Sequence, residues 1–217
     1  MMTPLVNFHP LVRLLHWTMA VLILSMLFIG IGMVTTVSPR HQWLLAIHKP
    51  LGMAILLLAV IRLAVRLRLR PPALPADMPV AMQWLANASH WLLYGLMIAM
   101  PLIGWAMLSA GGYPIRLGSS WHLPPITPAN AALYAWLREA HGYLAFLLFL
   151  TVLGHMAAAL YHALIRRDSV FPSMTFGNRP VVEVTVETVE LIPPSEPEAV
   201  PMQGQVKANH TDAPRNE

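Results

Sequence analysis

The chain of 217 residues contains ten histidines and no cysteine. Imidazole is therefore the soft nitrogen donor it can offer a metal, and disulfides, thiolate-held iron–sulfur clusters, cysteine zinc sites and covalent c-type haem are all excluded. Two of the histidines, His141 and His155, lie fourteen residues apart in the apolar stretch 133–168. At about 1.5 Å and about 100° per residue they are separated by roughly 21 Å and miss four full turns by roughly 40°, so both rings share one helix face. A histidine inside a membrane-spanning segment is costly, faces the bundle interior and is by default a functional candidate. Two on one face, at two depths, suggest two stacked ligand sites. Imidazoles from facing helices are a means of holding a b-type haem in a bundle core, where the protein supplies axial ligands and a dry pocket.

The elements that must position these rings are legible from hydropathy. The chain is 56% hydrophobic and 11% charged, with a mean hydropathy of +0.56, a membrane composition. Four apolar runs, about 10–34, 43–65, 84–108 and 133–165, each exceed the ~20 residues needed to span a bilayer. The expected fold class is all-α: a four-transmembrane-helix bundle with both termini cytoplasmic, binding two stacked b-type haems. The first run is long enough to span and is followed by no small-residue cleavage site, so it reads as retained. Residues 36–43 read as a turn and 71–82 as a proline-rich loop; a longer loop joins spans three and four.

Four spans leave both termini on one side. Arg13, Arg62, Arg66, Arg68, Arg70, Arg166 and Arg167 fall on that side and Arg40, Lys49, Arg116 and Arg138 on the other, which favours cytoplasmic termini by the positive-inside rule. Residues 1–170 hold eleven Lys/Arg against three Asp/Glu, whereas 171–217 hold three against seven. The division drawn is a membrane domain, 1–171, and a disordered, acidic, proline-rich C-terminal tail, 172–217.

With that topology, His48 and His141 enter from the periplasmic side, His16 from the cytoplasmic side, and His155 lies deeper toward the cytoplasm. Height suggests the pairs His48/His141 and His16/His155. His162 follows His155 by seven residues on nearly the same face and matches His16 almost as well, so spacing leaves the cytoplasmic ligand open. Whichever of His155 and His162 is not a ligand, together with His90, is a candidate for hydrogen-bonding and protonating a quinone. Gly52, Gly142 and Gly154 stand beside the ligand candidates and would let a flat macrocycle approach. His9, His41, His122 and His210 read as loop or tail residues. The plain alternative is that these histidines are interfacial or interhelical hydrogen-bonding groups. A zinc or copper site would want several ligands close together, and the spans hold a single carboxylate, Glu139, to help.

The stretches LHW, IHKPLG, SHWLLYGLMIAMPLIGW, GGYPIRLG with LPP, and EAHGYLA…GHMAAALYHALIRRD resemble the bacterial cytochrome b561 family over about residues 5–172. The resemblance implies a di-haem cytochrome b, multi-pass in the inner membrane. It implies His16, His48, His141 and His155 as ligands of the haem iron, taking His155 over His162. It also implies an oxidoreductase that oxidises superoxide at the periplasmic face and reduces ubiquinone. Arg40, Lys49, Arg116 and Arg138 are then the cations placed to attract the superoxide anion. The alternative is a quinol-oxidising cytochrome b subunit that relays electrons to a periplasmic redox protein, docked through the loop 111–130. The bilayer is the expected surrounding, and no nucleic-acid partner is expected.

Overall fold

The computed structural model describes residues 7–69, 78–117 and 121–175, all within one compact unit, Met1–Pro180. The second unit, Val181–Glu217, lies outside the described residues, and so does the acidic tail from 176 onward. Four long helices make up the membrane part: α1 (Pro10–Thr35), α2 (Pro39–Arg68), α3 (Val80–Ala110) and α4 (Ala131–Leu160). All four are long and apolar enough to cross a bilayer. Even α1, with 26 residues, rises roughly 39 Å against a hydrocarbon core of about 30 Å.

The helix starts follow from local chemistry. Pro10 and Pro39 each occupy a first helical position, where a missing N–H costs nothing. His9 Nδ1 accepts from Leu11 N, Ser38 Oγ from Arg40 N, and Asn130 Oδ1 from Leu133 N at 3.0 Å; each satisfies an otherwise orphaned donor. Two boundaries differ from those expected. The turn expected over 36–43 is shorter, because Ser38 caps α2 and Pro39 opens it. Arg40 and His41 therefore sit in a helical turn, with His41 Nδ1 3.0 Å from Met33 O. The loop expected to reach residue 82 gives way to α3 at Val80, with Pro79 at the cap. Interior prolines, Pro50 in α2 and Pro101 in α3, each remove one backbone hydrogen bond.

Between α3 and α4 the chain turns at Gly111 and Gly112, the latter at φ +71°, a left-handed conformation natural to glycine. It then forms a two-residue antiparallel ladder, β1 (Arg116–Leu117) with β2 (Trp121–His122), so His122 is in a strand and not a loop. Past Leu160, α4 continues into a π-helical turn, Tyr161–Arg166, and Arg167 adopts a left-handed φ of 52°. A short helix, α5 (Val170–Met174), follows and straddles the expected domain division at 171/172.

α1 packs on α2, α2 on α3 and α3 on α4. The core between them is Met19 and Ile23 from α1, Ile55 and Ala59 from α2, Tyr94 and Met97 from α3. In lipid the helices gain no hydrophobic drive from each other, so close packing and small residues must hold them; Ala59 is fully buried at that crossing. Large apolar side chains such as Phe28, Trp136 and Ile165 point outward, as a bilayer solvent demands. α5 is fastened to α1: Phe8 N donates to Ser173 O, Arg13 Nη1 to Thr175 O at 3.0 Å and Trp17 Nε1 to Met174 O at 3.1 Å.

Candidate cofactor sites between the helices

The bundle brings four of the predicted histidines together as two facing pairs. His48 of α2 and His141 of α4 have ring centres 6.2 Å apart at an interplanar angle of 67°. His16 of α1 and His155 of α4 are also 6.2 Å apart, at 65°. That spacing has chemical content. Two imidazoles sharing a hydrogen bond of about 2.9 Å would have centres roughly 5 Å apart. Two imidazoles on opposite sides of one metal, with bonds of about 2 Å and ring nitrogens roughly 1.1 Å from each centre, would have them about 6 Å apart. Both pairs match the second case.

The His48/His141 pair lines a cavity of about 510 Å³, within the range of cofactor pockets. Its wall is almost wholly apolar and includes Gly30, Gly52, Gly104 and Gly142. His48 Nδ1 and His141 Nδ1 are both buried without a hydrogen-bond partner. Orphaned polar atoms of this kind are uncommon in a finished core and call for an explanation. Gly104 backs the His141 ring: a Cβ there would sit 3.4 Å from its Cε1. Of the other glycines singled out from sequence, Gly52 faces Met26, while nothing lies within 4 Å of a Cβ built on Gly142 or Gly154.

The His16/His155 pair is more polar. His90 of α3 lies 5.5 Å from His155, ring centre to ring centre. Arg62 Nη2 donates to His16 Nδ1 at 2.7 Å. The Arg62 and Arg66 guanidinium carbons stand 5.4 Å and 5.9 Å from the Tyr94 ring centre. His162 is 8% exposed and turns elsewhere: its Nδ1 is 2.6 Å from Asp168 Oδ2, which also receives Arg166 Nε at 3.3 Å. Asp168 Oδ1 accepts from Val170 N, the first residue of α5.

The four cations expected to draw an anion all belong to the end where α1 finishes and α4 begins. Arg40, Arg116 and Arg138 are exposed, and Lys49 lines the cavity beside His48. Three contributors escaped the reading of the sequence. Gly104 had no mark beyond its place after Pro101. Arg62 counts by sequence among the topogenic charges, and its place six residues before the end of α2 at Arg68 signals depth but not its contact with His16. Asp168 is a lone carboxylate whose partner could not be read from spacing.

Comparison with known proteins places the chain in a family. Residues 7–177 match the family described as prokaryotic cytochrome b561. The chain is 34% identical over 145 residues to the probable superoxide oxidase CybB of Yersinia pestis, covering 63% of this chain and 78% of that one. It is 31% identical over 164 residues to cytochrome b561 homolog 2 of Escherichia coli strain K12, covering 73% and 86%. It is 24% identical over 173 residues to cytochrome b561 homolog 1 of the same organism, covering 74% and 92%. With four apolar spans and a match over most of its length, the chain belongs to the prokaryotic cytochrome b561 family of membrane electron-transfer proteins, a family built around b-type haem.

Proposed function

We propose that the chain is a di-haem cytochrome b of the inner membrane that oxidises superoxide on the periplasmic side and reduces ubiquinone. The observation that carries this is the presence of two imidazole pairs, each with ring centres 6.2 Å apart, at two depths of one bundle. The name of the Yersinia pestis relative, probable superoxide oxidase, supports the choice of substrate. An even number of spans sets both termini on one face, and the charge bias favours the cytoplasm. In this reading residues 1–171 form the membrane domain and the tail 172–217 is cytoplasmic.

The net reaction takes one electron from each of two superoxide anions, releasing two O₂, and delivers both with two protons to one ubiquinone. A b-type haem held by each histidine pair supplies reversible one-electron chemistry. The protein's own residues do the rest. Arg40, Lys49, Arg116 and Arg138 raise the local concentration of a small anion at one mouth, an effect that salt weakens. His48 and His141 hold the first group, and the apolar wall around them keeps water out. His16 and His155 hold the second. His162, pinned by Asp168, and His90, beside His155, are the groups placed to hold protons for a quinone.

The test is to supply purified full-length protein in detergent with superoxide and ubiquinone and to follow quinol formation. One quinol per two superoxide is the expected result. A protein that is inert alone, but oxidises quinol when given a periplasmic redox protein, would replace this reading with the relay alternative. A second outcome concerns the first site alone. Gly104→Leu drives a branched side chain into the space of the His141 ring, an overpacking that costs about 1–3 kcal/mol in well-packed interiors. The variant is expected to lose the haem of the His48/His141 pair and keep the other, as read by haem content per chain.

A further inference from the structure

Among the described residues Arg62 is a cation with no counter-ion. Its residue is partly buried inside the span of α2, and its Nε atom is fully buried with no hydrogen-bond partner. The groups around it are His16, Tyr94 and Arg66. Among the described residues no carboxylate pairs with it: Asp168 is engaged by His162 and Arg166 at the end of α4, and Glu139 is exposed on the opposite half of the bundle. A guanidinium held in this way within a membrane-spanning segment is costly until an anion meets it. Tyr94 offers only its ring face, shared with Arg66, and a cation–π contact is worth far less than a charge pair.

The bond from Arg62 to His16 is also at odds with ligation. Arginine has five donors and no acceptor, so His16 Nδ1 accepts and the ring's proton sits on Nε2. A ring in that state has no free nitrogen to offer a metal. For His16 to act as a ligand, Arg62 must leave it.

We infer that Arg62 is the anion-binding residue of the His16/His155 site, taking a propionate carboxylate of the haem bound there and releasing His16 as it does so. This rests on the reading that those two histidines hold a haem. It accounts for both anomalies together. The incoming group carries the missing negative charge, and a bidentate guanidinium–carboxylate pair satisfies the buried Nε. It also makes the two sites unlike. The cavity at His48 and His141 is lined by one cation, Lys49, at its rim, whereas the second site has a guanidinium within hydrogen-bond reach of a ligand ring.

The test uses full-length His48→Ala protein, which leaves only the His16/His155 pair, and compares uptake of haem with uptake of haem dimethyl ester, which lacks both carboxylates. With Arg62 present, haem is expected to bind more tightly than the ester by roughly tenfold to a hundredfold, the worth of a hydrogen bond to a charged group. Arg62→Met is expected to erase that preference while still taking up the ester, which also shows that the variant is folded. Arg62→Lys, retaining charge but not the fork, is expected to keep part of it. Equal uptake of haem and ester with Arg62 in place overturns the inference. So does a preference that survives Arg62→Met, since another cation then takes the carboxylate. Uptake of neither by the His48→Ala protein removes the reading beneath the inference and the inference with it.

Discussion

On the proposed di-haem reading, His48→Ala and His155→Ala are each expected to leave one haem per chain, and His162→Ala is expected to keep two. The argument is the 6.2 Å separation in each pair. Were a haem held by a pair, deleting one of its imidazoles would leave the group a single protein ligand and an imidazole-sized void, and no third histidine lines the described cavity at the His48/His141 level. At the other level His90 of α3 lies 5.5 Å from His155, and a second haem retained in His155→Ala would identify His90 as the group that takes its place. His162 is held at 2.6 Å by Asp168, and its removal leaves both pairs standing. Haem per chain is read by pyridine haemochrome and the reduced-minus-oxidised spectrum. A colourless unaltered protein would remove both sites at once, and loss of a haem in His162→Ala would move the second site toward the end of α4.

If the chain reduces ubiquinone as proposed, Asp168→Asn is expected to lower that rate by roughly 10²-fold, the lower end of what a positioned proton donor contributes, with haem content unchanged. The carboxylate holds His162 through Nδ1, and on the proposed reading Nε2 would be the nitrogen that meets the quinone. The amide keeps the size but removes the charge, so the ring loses its charge-assisted anchor. Arg166, sharing that oxygen at 3.3 Å, also loses its ion pair. Rapid-mixing spectroscopy separates the two effects that matter. Haem reduction by superoxide is expected to proceed at the unaltered rate, and only haem reoxidation by ubiquinone is expected to slow. Equal slowing of both steps would mean that Asp168 supports the bundle and not the proton.

The four spans and the pairing by depth were legible because each rests on a long apolar run and on rise per residue, which tertiary context hardly alters. The azimuth of His162 was not. An ideal α-helix puts it on the face of His155, but the segment from Tyr161 to Arg166 winds as a π-helix, whose wider turn changes the angle each residue advances. The same turn, followed by the left-handed Arg167, brings Asp168 back to a residue only six positions earlier. Arg62 was hidden for a different reason. Hydropathy counts it with Arg66 and Arg68 as one cluster of positive charge, and only the crossing of α1 with α2 shows that it reaches His16. The helix starts at Pro39 and Val80 were displaced from the expected positions because caps and first-turn prolines outweigh the polar character of the residues that follow them.

The order of helix packing has a bearing on assembly. α1 leans on α2, α2 on α3 and α3 on α4, whereas α1 and α4 share little direct contact among the described residues. The bundle is thus two hairpins joined along one edge, like a book, and open along the other. His16 and His155 stand on either side of that edge, and Phe8, Arg13 and Trp17 tie it to the segment around α5. A group gripped by both histidines is then the clasp that closes the covers. Insertion of the chain and closure of the bundle become separable events: the hairpins can enter the bilayer in turn, and the last joint waits for the cofactor. Amide exchange in α1 and α4 near this edge should therefore slow when haem is added, while exchange at the α2–α3 spine should hardly change.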